Sequence, residues 1–114
     1  MLAFALAPYC RPALLTPGPL DIARLLLLAP LLEEWIMRAG VHHYLLQRCS
    51  PAAAMCLSSV LFAALHGSAG WQQVVLVFWP GLLFGAAYQR WRDWRLCALL
   101  HGLSNACAIA FCGS

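Results

Sequence analysis

The chain has 114 residues, 63% of them hydrophobic and 10% charged, with a formal net charge of +3. A soluble domain usually carries about 25% charged residues, so this composition excludes an ordinary water-soluble globule and fits a single-domain integral membrane protein. The positive charge comes from seven arginines and no lysine against four acids; they are scattered or sit at segment ends, which excludes a nucleic-acid-binding patch.

The first stretch, residues 1–21, is apolar but broken by Pro8, Pro12, Pro17 and Pro19. It lacks the basic n-region of a signal peptide and reads as an irregular or interfacial lead-in, with room for a short helix before Pro8. The first long helix is predicted from Ile22 to Gln47, with Asp21 as N-cap and a bend at Pro30. After "RCSP", in which Pro51 suits a first helical turn, a second helix is predicted from Ala52 to His66. "GSAG", Gly67 to Gly70, is a turn. The third helix, Trp71 to Gln89, is expected to kink at Pro80 and to use Gly81 and Gly85 as a GxxxG face for close helix approach. "RWRDWR" is an interfacial loop, and a fourth helix is predicted from Leu96 to Phe111. The fold class is all-α: a membrane-embedded bundle of about four transmembrane helices, with residues 22–111 as its core.

The loops after helices one and three carry Arg48, Arg90, Arg92 and Arg95 with only Asp93 against them, while the loop after helix two carries no charge. The positive-inside rule puts the arginine-bearing loops in the cytoplasm and both chain ends outside it. Trp71, Trp91, Trp94 and Tyr88 read as an aromatic belt. Cys10, Cys49, Cys56, Cys97, Cys107 and Cys112 contain no CxxC pair, and small buried side chains explain them better than a disulfide framework or a zinc cluster.

Chemistry concentrates in three short stretches. Two of the four acids, Glu33 and Glu34, stand together in the leucine-rich first helix. Ionisable groups at membrane depth need a partner or a job. Glu34 and Arg38 are four apart with the acid first, the favourable order for a helical ion pair. Glu33 is rotated about 100° away and is left facing something else, unless all three form one structural ion cluster. "FAALH" puts Phe62 and His66 four apart on helix two, and "HGLSN" does the same for His101 and Asn105 on helix four. Either histidine alone reads as a hydrogen-bonded core residue; both together, with Asn105 and an unpaired glutamate on three helices, are harder to read that way. Glu33, His66 and Asn105 each lie 14 residues from the cytoplasmic end of their helices, about 20 Å along at 1.5 Å per residue, so they are expected in one layer. His42 and His43 read as interfacial, bonded to water or headgroups. Ser58, Ser59 and Ser104 are expected to bond to backbone or neighbouring helices. No HExxH or GxSxG occurs.

"EEWIMR", "FAALH" and "HGLSN" fit EExxxR, FxxxH and HxxxN in order, and the chain thereby resembles the CPBP family of intramembrane proteases, which includes type II CAAX prenyl endopeptidases and bacteriocin-processing relatives. The resemblance covers about Ile22 to Phe111. It implies a peptidase in which Glu33 and His66 activate water and His101 and Asn105 stabilise the oxyanion, supported by Glu34, Arg38 and Phe62. It implies a membrane bilayer and a protein or peptide substrate as partners, and no nucleic acid. Family members typically carry further N-terminal helices, so a homo-oligomer, a partner membrane protein or a truncated chain is expected. "PGLLFGAAYQRWRDWRLCALLHGLSNA" is also similar to small bacterial members linked to processing of C-terminal sorting tails, and arginine without lysine suits a GC-rich genome, so a bacterial inner membrane is the expected location. No cofactor is expected. The alternatives are a metalloprotease with Glu33, His66 and His101 as zinc ligands, a haem- or metal-binding protein using His66 and His101, and a non-catalytic scaffold.

Overall fold

Prolines and glycines set most of the helix boundaries in the structure, a computed structural model that describes Cys10 and residues 16–113. Among the described residues all regular structure is helical. The short helix expected before Pro8 lies outside them.

Helix α1 covers residues 19–46 and is not uniform. Ordinary α-helical turns at Pro19–Ala23, Ala29–Glu34 and His43–Leu46 alternate with wider π-helical stretches at Arg24–Leu28 and Trp35–His42. Pro19 occupies a first-turn position, where a missing N–H is harmless. Asp21 is not the N-cap: Gly18 is, and Asp21 reaches back to accept the Gly18 N–H at 3.1 Å. Pro30 does not interrupt the helix; the strain of its missing donor is spread into the π stretch just before it.

Helix α2, Pro51–Ala64, is capped by Ser50, whose hydroxyl accepts the Ala53 N–H at 3.2 Å. It stops short of its predicted end, so His66 lies beyond the helix, before a 3-10 turn at Gly67–Ala69. Gly70 then takes φ 106°, a left-handed conformation open to glycine. Helix α3, Trp71–Trp91, runs through Pro80 without a break and ends at Arg92, itself left-handed with φ 52°. Helix α4, Trp94–Gly113, starts after Asp93. There the Arg95 N–H and guanidinium donate to the Asp93 carboxylate at 2.9 and 3.2 Å and hold that carboxyl below its usual range.

Small residues let the helices meet. A Cβ on Gly81 would sit 3.1 Å from the Phe62 ring, and one on Gly85 would sit 3.3 Å from Met55, so α3 lies closely against α2. A Cβ on Gly102 would sit 2.6 Å from the Leu26 carbonyl oxygen, so α4 meets the backbone of α1 directly. Met37, Phe62, Phe84, Ala87, Tyr88 and Cys97 form the apolar core. Around it the usual distribution is inverted. Glu34, Arg38, His42, Ser58, Ser59 and His101 are buried, while Leu27, Trp35, Leu83 and Leu99 are each more than half exposed. Among the described residues one helix, Trp94–Cys112, is long and apolar enough to cross a membrane by itself.

Four sequence expectations are corrected here. His42 is fully buried, not interfacial, and Tyr88 is buried against it with ring centroids 5.1 Å apart, so it takes no part in an aromatic belt. Ser59 is buried with no partner for its hydroxyl among the described residues. Cys10 and Cys112 form a disulfide. Of the remaining cysteines, Cys97 is a buried core residue, but Cys56 and Cys107 are exposed.

Candidate active site

The four-residue spacing of Glu34, Arg38 and His42 stacks them along the inner face of α1, where all three are fully buried. Arg38 Nε donates to Glu34 Oε1 at 2.9 Å, and a second guanidinium nitrogen donates to the Gly81 carbonyl at 3.1 Å. Gly81 thus gives α3 both a close approach and an acceptor. The Phe62 ring lies 5.6 Å from the guanidinium carbon, closing off water.

The second carboxylate oxygen of Glu34 does not stay with Arg38. Glu34 Oε2 lies 3.1 Å from His101 Nδ1. A carboxylate only accepts, so Nδ1 carries the hydrogen. His101 is further held by stacking on Phe84, with centroids 5.3 Å apart, and by the edge of Phe62 at 5.5 Å. Its other nitrogen, Nε2, faces Glu33 Oε2 at 3.6 Å, beyond hydrogen-bond reach. Glu33 Oε2 is buried and has no donor among the described residues. The rotation between adjacent helical residues therefore places one carboxylate in a closed network and the other at its edge.

A cavity of about 410 Å³ opens at that edge, lined by Glu33, His66, His101 and Asn105 together with Gln73, Ser104 and apolar residues of all four helices. His66 reaches it from the loop, its Nδ1 fixed at 2.9 Å from the Phe62 carbonyl. Phe62 therefore carries both the ring that packs on His101 and the carbonyl that orients His66. Asn105 donates from Nδ2 to the Leu25 carbonyl at 2.6 Å; its amide has a second N–H. The structure thus places Glu33, His66, His101 and Asn105 around one cavity, with Phe62 also lining it and Glu34 and Arg38 behind. Among the described residues no three His, Cys, Asp or Glu side chains stand together as a metal-holding group.

The chain matches the family model described as type II CAAX prenyl endopeptidase Rce1-like over residues 15–107. It belongs to the Rce1-like family. No curated protein and no solved structure matches it. The family is one of membrane-embedded CAAX endopeptidases, and the matched span of this Rce1-like chain takes in Glu33, His66, His101 and Asn105.

Sequence reasoning missed one part of the network. His42 Nδ1 lies 3.4 Å from both Arg38 Nη1 and the Ser58 hydroxyl, and its Nε2 lies 2.9 Å from the Gln89 amide, which also donates to the Pro51 carbonyl at 2.7 Å. The signal was present: His42 continues the 34–38 spacing by four more residues, on the face that must turn inward if Glu34 and Arg38 do.

Proposed function

We propose that this Rce1-like chain is an intramembrane endopeptidase that hydrolyses a peptide bond at the membrane-embedded cavity, its four helices forming a transmembrane bundle. Buried charge inside and exposed leucine and tryptophan outside suit a hydrocarbon surround. The single observation that carries the chemistry is Glu33 Oε2, a buried carboxylate oxygen without a donor, 3.6 Å from His101 Nε2 at the edge of the cavity. A water to one side of that gap contacts both atoms. Glu33 takes its proton as the oxygen attacks the substrate carbonyl, with His66 across the cavity as second proton carrier. The Asn105 amide receives the developing oxyanion, and His101 does so once its Nε2 has taken the proton on from Glu33.

The Cys10–Cys112 disulfide joins the two ends of the chain, and disulfides persist in oxidising compartments. That supports the orientation with both ends outside the cytoplasm and the exposed arginines Arg48, Arg90, Arg92 and Arg95 within it. A bacterial inner membrane is the setting this arrangement fits.

A zinc-dependent form of the same hydrolysis has one observation in its favour. A carboxylate behind the distal nitrogen, here Glu34 behind His101 Nδ1, is the usual support of a metal-bound histidine. With Glu33 and His101 alone adjacent, the set is one protein ligand short of the usual three. Haem ligation through His101 is disfavoured, because both its ring nitrogens face carboxylates.

The test is Glu33→Gln in a cleavage assay with small membrane proteins bearing hydrophobic C-terminal tails. The variant is expected to insert normally and to lose cleavage. Near-normal cleavage of a verified substrate by Glu33→Gln would remove the water-activating role.

A further inference from the structure

The Asn105 amide is held by a carbonyl that α1 leaves without a partner of its own. The Ala29 N–H donates to Arg24 O, five residues back. It is thereby withheld from Leu25 O, its partner at ordinary α-helical spacing. At the wider π spacing the donor for Leu25 O belongs to residue 30. Residue 30 is proline, which has no N–H. Leu25 O is orphaned in both registers, and Asn105 Nδ2 donates to it at 2.6 Å.

We infer that Pro30 is a positioning residue for Asn105: by removing the N–H that Leu25 O would otherwise take, it ties one N–H of the amide to α1 and leaves the other for the cavity. A bare carbonyl is costly where no water reaches it, so the bond from α4 is strongly favoured and its geometry is fixed. Gly102 completes the clamp. Three residues before Asn105, it brings α4 to within contact of the next carbonyl, Leu26 O, where a Cβ would stand at 2.6 Å. The same proline does not break α1; it converts a defect in α1 into the attachment point of a group on α4. The catalytic consequence rests on the oxyanion role proposed for Asn105, while the attachment itself does not.

Asn105 is the only asparagine in the chain, so uniform labelling with ¹⁵N-asparagine reports a single side-chain NH₂ group in detergent-solubilised full-length protein. In the native protein one of its two protons is expected downfield and slow to exchange, bonded to Leu25 O. Pro30→Ala and Pro30→Val both restore an N–H to α1, the second with little change in side-chain volume. In both, that proton is expected to move upfield and to exchange faster. Turnover is expected to fall about 10- to 100-fold in kcat with KM little changed, the pattern of a lost transition-state contact. Pro30→Ala combined with Asn105→Ala is expected to be no slower than Asn105→Ala alone. An Asn105 amide that stays in place in both proline variants overturns the inference, as does an additive loss in the double variant. If the amide shifts in both but the native protein cleaves no candidate substrate, the positioning by Pro30 stands and the peptidase reading falls.

Discussion

Replacing Glu34 by glutamine tests the network behind the cavity more sharply than removing any residue that lines it. Glu34 and Arg38 are both fully buried, with Glu34 Oε1 2.9 Å from Arg38 Nε. Deleting one member of a buried ion pair typically costs roughly 3–5 kcal/mol, because the other charge is left uncompensated. Arg38 keeps its bond to the Gly81 carbonyl and its place against the Phe62 ring, so the lower end, about 3 kcal/mol, is expected. The substitution also reaches the chemistry. A glutamine has one acceptor oxygen, and facing it to Arg38 turns its NH₂ toward His101 Nδ1. That nitrogen must then give up its hydrogen, the ring proton moves to Nε2, and Glu33 gains a donor 3.6 Å away in place of a lone pair. A carboxylate facing that N–H dipole is a poorer base, and turnover is expected to drop at least about 100-fold. Stability is read from reversible SDS unfolding in mixed micelles, and turnover from the same preparation. Adding Arg38→Met to Glu34→Gln removes the orphaned charge and is expected to recover part of the stability but none of the activity. A Glu34→Gln protein within about 0.5 kcal/mol of wild type, the range of an ordinary surface change, would refute the reasoning.

His66→Ala and His101→Ala are each expected to lower turnover by at least about 100-fold, the range of general acid–base and oxyanion groups, with the loss read in kcat rather than in binding. Cysteine-accessibility labelling in a cysteine-free background is expected to reach positions 48 and 92 from the cytoplasmic side and position 68 from the other; labelling of position 68 from the cytoplasm alone would reverse the orientation. Chelation followed by metal analysis of active protein is expected to leave turnover unchanged, and one zinc per chain whose removal and return abolish and restore activity would replace the metal-free mechanism.

The ordering of motifs along the chain made the cavity wall readable in advance, because spacing of four on a helix fixes which residues share a face. Glu34 with Arg38 follows from that rule alone. What the spacing does not carry is contact between helices. Glu34 looks committed to Arg38 until α4 brings His101 Nδ1 to its second oxygen at 3.1 Å. Phe62 reads as a packing residue of FxxxH, yet its carbonyl is what fixes His66. His42 reads as interfacial because it is polar and near a helix end; a buried Ser58, Tyr88 and part-buried Gln89 from two other helices take it inward. The π stretches in α1 left no trace in hydrophobic periodicity, since residues 24–28 are apolar on every face but one. The Cys10–Cys112 pairing joins residues at opposite ends of the chain, beyond the reach of any spacing rule.

An enzyme that keeps two carboxylates, an arginine and two histidines within an apolar bundle must hold each of them without letting them neutralise one another. The separation here is angular. Glu34, facing inward, takes both Arg38 and His101 and satisfies them, so the guanidinium charge is consumed one turn below the cavity and is not spent on Glu33. Glu33, about 100° around the helix, keeps an oxygen with no donor among the described residues, as the proposed base requires. If the two glutamates exchanged roles, Arg38 would lie against the carboxylate proposed to react and make it a weaker base. The order Glu-Glu-x-x-x-Arg suits the proposed mechanism: the arginine stands four residues from Glu34, the carboxylate to which that mechanism gives no reacting role.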